Sequence, residues 1–232
     1  MIEYELLKKL YSIETFTGYS DDEIEEMSEG FDSVPAALMD FLKKCGKTAE
    51  LYDGTNDYWI DLEFHRKSKW LKNESKEYFY LLDENQHCYQ MAIRREDMSL
   101  DDPAVHVVEP LQDGEVREIG LAEESVSKFL MGMFMYEAAL CAGPFKYFYE
   151  DFIWYNEDDL KKLEETLTKQ PYHVFNWYSD RIDIYTMADE AVLYIMITDE
   201  PQGTYAAKSE EALQRISKLI GDISDGNSEK GI

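Results

Sequence analysis

The twelve residues Phe129–Leu140, FLMGMFMYEAAL, are apolar nearly all round and carry one charge, Glu137. A helix with no polar face has to lie inside a folded domain, surrounded by other elements. It is too short to cross a bilayer, and Glu137 interrupts it. The spacing predicts a helix over 123–140 that opens on Glu123 and Glu124, where the helix dipole favours acids. The rest of the chain must therefore supply strands and amphipathic helices that wrap this segment.

Those elements are visible as changes of period. Leu6, Leu7, Leu10 and Ile13 form a helical stripe that Gly18 is expected to close. Ser20 and Glu23 form a capping box for a second helix, with Ile24, Met27 and Phe31 on its inner face. Its outer face is Asp21, Asp22, Glu25, Glu26 and Glu29, with no basic neighbour along the sequence. Pro35 is expected at the first position of a third helix with a Leu38, Phe41, Leu42, Cys45 stripe. Gly46 reads as its C′ residue.

The period then becomes two. Tyr58, Ile60, Leu62 and Phe64 alternate with Trp59, Asp61 and Glu63, as in a strand with one wet face. Residues 77–82 and 88–93 read as strands around the turn 83–86, and 104–108 as another. Leu111–Gly120 reads as a loop or hairpin within one domain, since nothing there has linker composition. Farther on, 145–149 and 152–155 look extended, and Asn156 caps a helix on Leu160, Leu163 and Leu167. Strands are expected at 172–178, 181–187 and 191–198. A last helix runs from Ser209 to Gly221. The fold class is α+β: a mixed, mainly antiparallel sheet with helices packed against it. Residues 1–221 form one domain to which the helix over 3–16 can be read as an addition. Residues 222–232 read as a disordered tail.

Charge restricts the partners. The chain has 232 residues, with 49 acidic and 23 basic ones and a net charge of −26. Nucleic acid and anionic membranes are poor partners, because each phosphate contact needs Lys or Arg. A basic protein is a good one, since opposite fields speed encounter. The one basic cluster, His65–Lys72, is too short to reverse that field. Three cysteines, Cys45, Cys88 and Cys141, do not make a disulfide framework. With no basic segment leading into an apolar core at the N-terminus, a cytoplasmic location is expected.

Motifs for chemistry fail on inspection. Gly46-Lys47-Thr48 echoes a P-loop, but Phe41 stands where the first glycine belongs and a helix precedes it. Asp83, Asn85 and His87 alternate like calcium ligands, yet Cys88 and Arg94 occupy the Gly and Glu positions. His87-Cys88, with His65, His106 and Cys141 elsewhere, lacks CxxC, HxxxH or HExxH spacing. No serine sits in GxSxG. The sequence thus offers no catalytic, cofactor or metal residues, and no enzyme is expected. Aromatics crowd KYFYEDFIWYN and YHVFNWYSD. Most should be core, and any exposed ones suit an interface. Trp59, on the polar face of its strand, is the clearest candidate.

The order of motifs resembles the SUKH superfamily, the family of Smi/Knr-type cell-wall-synthesis regulators and of many bacterial immunity proteins. The matching residues are Ser20–Glu26, Val34-Pro35, Gly46, Tyr80, Tyr89–Ile93, Asp102-Pro103-Ala104-Val105, and Phe129-Leu130 with Met133-Phe134 and Tyr136-Glu137-Ala138. They extend over about Gly18–Ile220. Ala104 replaces a second proline, and no tryptophan precedes Trp59, which leaves the subfamily open. The resemblance implies a non-enzymatic α+β protein. Its implied role is a cytoplasmic immunity protein that neutralises a delivered bacterial toxin, a basic nuclease being one such toxin, or else an intracellular scaffold. On that reading the contact residues are Asp21, Asp22, Glu25, Glu26 and Glu29, with Trp59, Asp61 and Glu63.

Overall fold

The computed structural model describes residues 1–54, 58–59, 77–111, 115–176 and 179–224. Among them are six α-helices: α1 (Tyr4–Leu10), α2 (Asp21–Met27), α3 (Ala36–Cys45), α4 (Val126–Ala139), α5 (Glu157–Thr166) and α6 (Glu210–Ser224). Two sheets accompany them. The first is a meander in the order β1 (Tyr58–Trp59), β2 (Tyr78–Glu84), β3 (Gln90–Arg94), β4 (Val105–Pro110), β5 (Val116–Glu123). The second contains β6 (Tyr147–Phe148), β7 (Ile153–Trp154), β8 (Thr168–Asn176), β9 (Ser179–Met187), β10 (Ala191–Ile197) and β11 (Gln202–Ala207). Its order is β6-β11-β10-β9-β8, with β7 also on β11. The α+β class is as expected. Every described strand pair is antiparallel, and the strands divide between two sheets where the sequence suggested one mixed sheet.

Helix α4 is the hub. Every residue of it except Lys128 is buried. It lies chiefly on the second sheet, where Val174, Ile182, Ile184, Val192, Tyr194 and Ala206 share a core with it. Gly132 permits the approach: a Cβ there would stand 3.0 Å from the His173 carbonyl and 3.3 Å from Tyr172 Cβ. The same core takes Phe79, Met91, Ile93, Val105 and Val107 from the first sheet and Leu7, Leu10, Leu38 and Phe41 from the N-terminal helices. Strand side chains alternate between faces, so Tyr185, Leu193, Ile195 and Tyr205 point the other way. There they join Leu163 of α5 and Ala212, Ile216 and Ile220 of α6 in a second core. The two sheets meet at β5 and β8, where His173 N donates to Glu123 Oε2 at 3.3 Å, and just before β3, where the Tyr89 ring sits 5.5 Å from that of Phe175 on β8.

The helix ends show how local chemistry sets the chain path. Helix α1 stops well before Gly18, at Ser12, which adopts the left-handed conformation (φ 55°). Ile13 N bonds to Lys8 O and Ser12 N to Lys9 O, the paired bonds of a Schellman motif, with a serine in the usual glycine position. Gly18 has another task. A Cβ there would lie 1.8 Å from Lys43 O, so only glycine lets the chain run along the end of α3. Tyr19 N donates to Leu42 O and Lys47 N to Thr17 O along that seam. The Ser20–Glu23 capping box is present. Pro35 is the N-cap of α3, one residue before its expected place, and Gly46 is its right-handed C-cap, packed against Tyr19.

Candidate functional site

The acidic helix face stands where the sequence put it. Asp21, Asp22, Glu25 and Glu26 are exposed on α2, and Glu29 is exposed in the turn that follows it. The expectation that they lack basic neighbours fails through tertiary structure. The last turn of α3 brings Lys43 Nζ to 2.6 Å from Asp21, and the residues just past its C-cap bring Lys47 Nζ to 2.5 Å from Glu23. The Lys47 hydrogen bond, with those from Ser20, holds the Glu23 carboxyl down at about 2. For Trp59 the structure gives only its strand pairing with Asp83. Asp61 and Glu63 lie outside the described residues.

A second surface was not singled out as a site by sequence. Phe145 and Tyr155 are buried and pin the two ends of a strap. Between them Tyr147, Phe148, Tyr149, Phe152 and Trp154 are exposed by 44, 48, 37, 42 and 45%. Among the described residues the other large exposed apolar ones, Met1, Leu100 and Leu121, lie apart in the sequence. The strap is the outer edge of the second sheet. Phe148 pairs with Ala206, Tyr147 with Ala207, Ile153 with Gly203 and Trp154 with Gln202. Tyr149 N donates to Tyr205 O at 3.0 Å, and Thr204 Oγ1 donates to Tyr149 O at 2.7 Å. The Tyr149 ring stacks on Tyr205 at 5.2 Å, and the Tyr205 hydroxyl bonds Ser217 of α6. These contacts seat the strap firmly while leaving its rings in water.

Acids border the strap. Tyr147–Leu160 contains Glu150, Asp151, Glu157, Asp158 and Asp159, with Lys146 just before it and Lys161 and Lys162 just after, Lys161 Nζ lying 3.2 Å from Asp158. Asp159 is spent on the α5 capping box with Asn156. Asp199 and Glu200 are exposed in the β10–β11 turn, beside Pro201, whose carbonyl accepts Tyr155 N at 2.8 Å. The surface is therefore a row of half-exposed aromatics with a negative rim at its β7 end.

The far face of the first sheet carries a polar network. Arg94 grips Glu118 in a fork, Nη2 to Oε1 at 2.6 Å and Nε to Oε2 at 2.8 Å. His106 Nδ1 lies 3.1 Å from the same carboxylate. Arg94 holds Glu118 below the usual carboxylate range. Nearby, Asp83 is fully buried with His87 Nδ1 at 2.6 Å, and burial pushes its pKa up. These groups tie β3, β4 and β5 together and fix the hairpin turn. Among the described residues no cluster of three or more His, Cys, Asp or Glu is arranged to hold a metal. None of the described helices is long and apolar enough to cross a membrane.

The fold and the strap together define an acidic α+β protein with an aromatic sheet edge. Compared with protein-family models, curated proteins and solved structures, the chain gives no match.

Proposed function

We propose that this chain is a non-enzymatic binding protein, that its partner is a basic protein, and that the Tyr147–Trp154 strap seats that partner. The carrying observation is the row of five exposed aromatics in eight residues, bordered by carboxylates. Tyr and Trp in particular dominate interface energetics, because they bury much area at little entropic cost. A net charge of −26 draws a basic partner in and opposes a second copy of this chain on the same surface.

The order of motifs resembling the SUKH superfamily supports a narrower reading: a cytoplasmic immunity protein that neutralises a delivered bacterial toxin. A nuclease toxin is a fitting target, since its substrate-binding surface is cationic and an acidic inhibitor can occupy that field. The same resemblance carries a scaffold reading, which differs in partner number. The test is capture from the native cell in low and high salt, with the wild-type chain and a Phe148→Ser/Trp154→Ser variant as baits. The expected result is one basic protein held by the wild type, lost in high salt and by the variant. It should be lethal expressed alone and harmless beside this chain. Several non-toxic proteins would replace the immunity reading with the scaffold. Equal capture by the variant would move the seat off the strap, and no capture in low salt would end the binding reading.

A further inference from the structure

Next to the strap is a cup of about 640 Å³ lined by Tyr11, Glu50, Tyr52, Asp53, Gly143 and Pro144. Its walls are fixed. The Tyr11 and Tyr52 rings stand on Phe134 at 6.2 and 6.0 Å, and their hydroxyls donate to Phe134 O and Gly46 O. Gly143 is left-handed (φ 59°), and a Cβ there would stand 2.6 Å from the Tyr11 ring. Gly143 N donates to Asp53 O at 2.7 Å, which binds the two sides of the cup to each other. Glu50 and Asp53 are exposed on the rim. The chain already places a cation there. Lys146 Nζ lies 3.2 Å from Asp53 Oδ2, with the two side chains 56 and 66% exposed. An ion pair that open contributes little and is readily displaced.

Resting on the partner-binding reading, we infer that the cup takes an arginine side chain of the basic partner that docks on the strap. Pro144 lines the cup and the strap begins three residues later, so one partner surface meets both. Tyr11 is buried at 1% exposure and forms the floor, so the half-buried Tyr52 ring is the one that attracts a cation. Two rim carboxylates suit the forked donors of a guanidinium better than the single point of an ammonium. Lys146 is then the chain's own occupant of the rim, displaced on binding.

The test uses the full ¹⁵N-labelled chain titrated with N-acetyl-arginine amide, and with N-acetyl-lysine amide as the competitor chemistry. Saturable shifts are expected at the Asp53, Gly54 and Gly143 amides, with arginine bound more tightly than lysine. Lys146→Ala should tighten arginine binding about 2- to 5-fold, as release of an exposed ion pair allows. Glu50→Gln/Asp53→Asn should abolish it, and both side chains are exposed, so the fold should survive, as a dispersed spectrum would verify. Unsaturable shifts spread over all the acidic surfaces, equal affinity for lysine, or indifference to the double variant would each overturn the assignment. The two readings fail separately. Arginine bound in the cup with no protein captured ends the partner reading, whereas capture unaffected by Glu50→Gln/Asp53→Asn ends only the cup.

Discussion

Phe134→Leu is the sharpest test of how the centre of the molecule is built. Phe134 is fully buried on α4, with Phe41, Tyr52 and Tyr11 rings at 5.8, 6.0 and 6.2 Å. At roughly 0.5–1.5 kcal/mol per aromatic pair beyond area burial, three pairs are worth about 1.5–4.5 kcal/mol. Leucine restores part of this through dispersion contacts, so a loss of about 1.5–3 kcal/mol is expected. Phe134→Ala would cost about 3–5 kcal/mol. That is a large share of the roughly 5–15 kcal/mol of a typical domain, so leucine is the better probe. Urea unfolding followed by circular dichroism should show a lower midpoint at constant slope. Phe148→Leu, at 48% exposure, is the control and should stay within about 0.5 kcal/mol. Equal values for the two substitutions, or a Phe134→Leu loss under about 0.5 kcal/mol, would refute the packing described for α4.

Two carboxylates on the first sheet should pull stability in opposite directions with pH. Burial raises the Asp83 pKa against the opposing His87 and Gln90 bonds, so folding favours its protonated form. Its stability contribution is full below the ordinary aspartate range, about 3.9, and is lost as pH rises through the folded value. Asp83→Asn should therefore raise the melting temperature at neutral pH, with the gap closing on acidification; a lower melting temperature at neutral pH would refute this. Glu118 is the reverse case, lowered chiefly by the Arg94 hydrogen bond. Its contribution is present above the ordinary glutamate range, about 4.3, and is lost as pH falls through the folded value. Arg94→Gln should lower stability at neutral pH and lose that effect in acid, which melting curves across pH would check.

Features governed by neighbours in sequence were legible, and those governed by distant contacts were not. The Ser20–Glu23 and Asn156–Asp159 caps are local chemistry, and both form. The run of α4, apolar nearly throughout with Lys128 and Glu137 its only charges, could only be interior, and it is. By contrast, α1 ends on Ser12 because Ile13 finds a buried seat, which no glycine announces. Strand β11, QGTYAA, has weak strand formers and was not anticipated; pairing with β10 on one side and with β6 and β7 on the other imposes it. Helix α6 passes Gly221 to reach Ser224, since Ile223 still has a core to enter. Lys43 reaches Asp21 only because α2 and α3 pack together. Exposure of the strap was hidden for a similar reason. YFYEDFIW reads like any buried strand, and only its position at the sheet edge leaves the rings uncovered.

The acidic helix and the aromatic strap should act on different steps of binding, and kinetics can separate them. Reversing Asp21, Asp22, Glu25, Glu26 and Glu29 to Lys adds two charges at each of five sites, which moves the net charge from −26 to −16. If α2 steers without contact, association with the captured partner slows on the order of tenfold or more at low salt. The salt dependence flattens, and dissociation does not change. The strap should do the opposite. Phe148 and Trp154 are 48 and 45% exposed, so of roughly 200 Å² per aromatic side chain about 90–100 Å² each remains for a partner to cover. At about 25 cal/mol per Å² the pair is worth about 4–5 kcal/mol, or on the order of 10³ in dissociation rate. Phe148→Ser/Trp154→Ser should therefore release the partner faster while leaving association nearly intact. Surface plasmon resonance on both variants distinguishes the roles. An unchanged on-rate in the helix variant removes α2 from recognition, a faster off-rate there makes α2 a direct contact, and an unchanged off-rate in the strap variant moves the hot spot elsewhere.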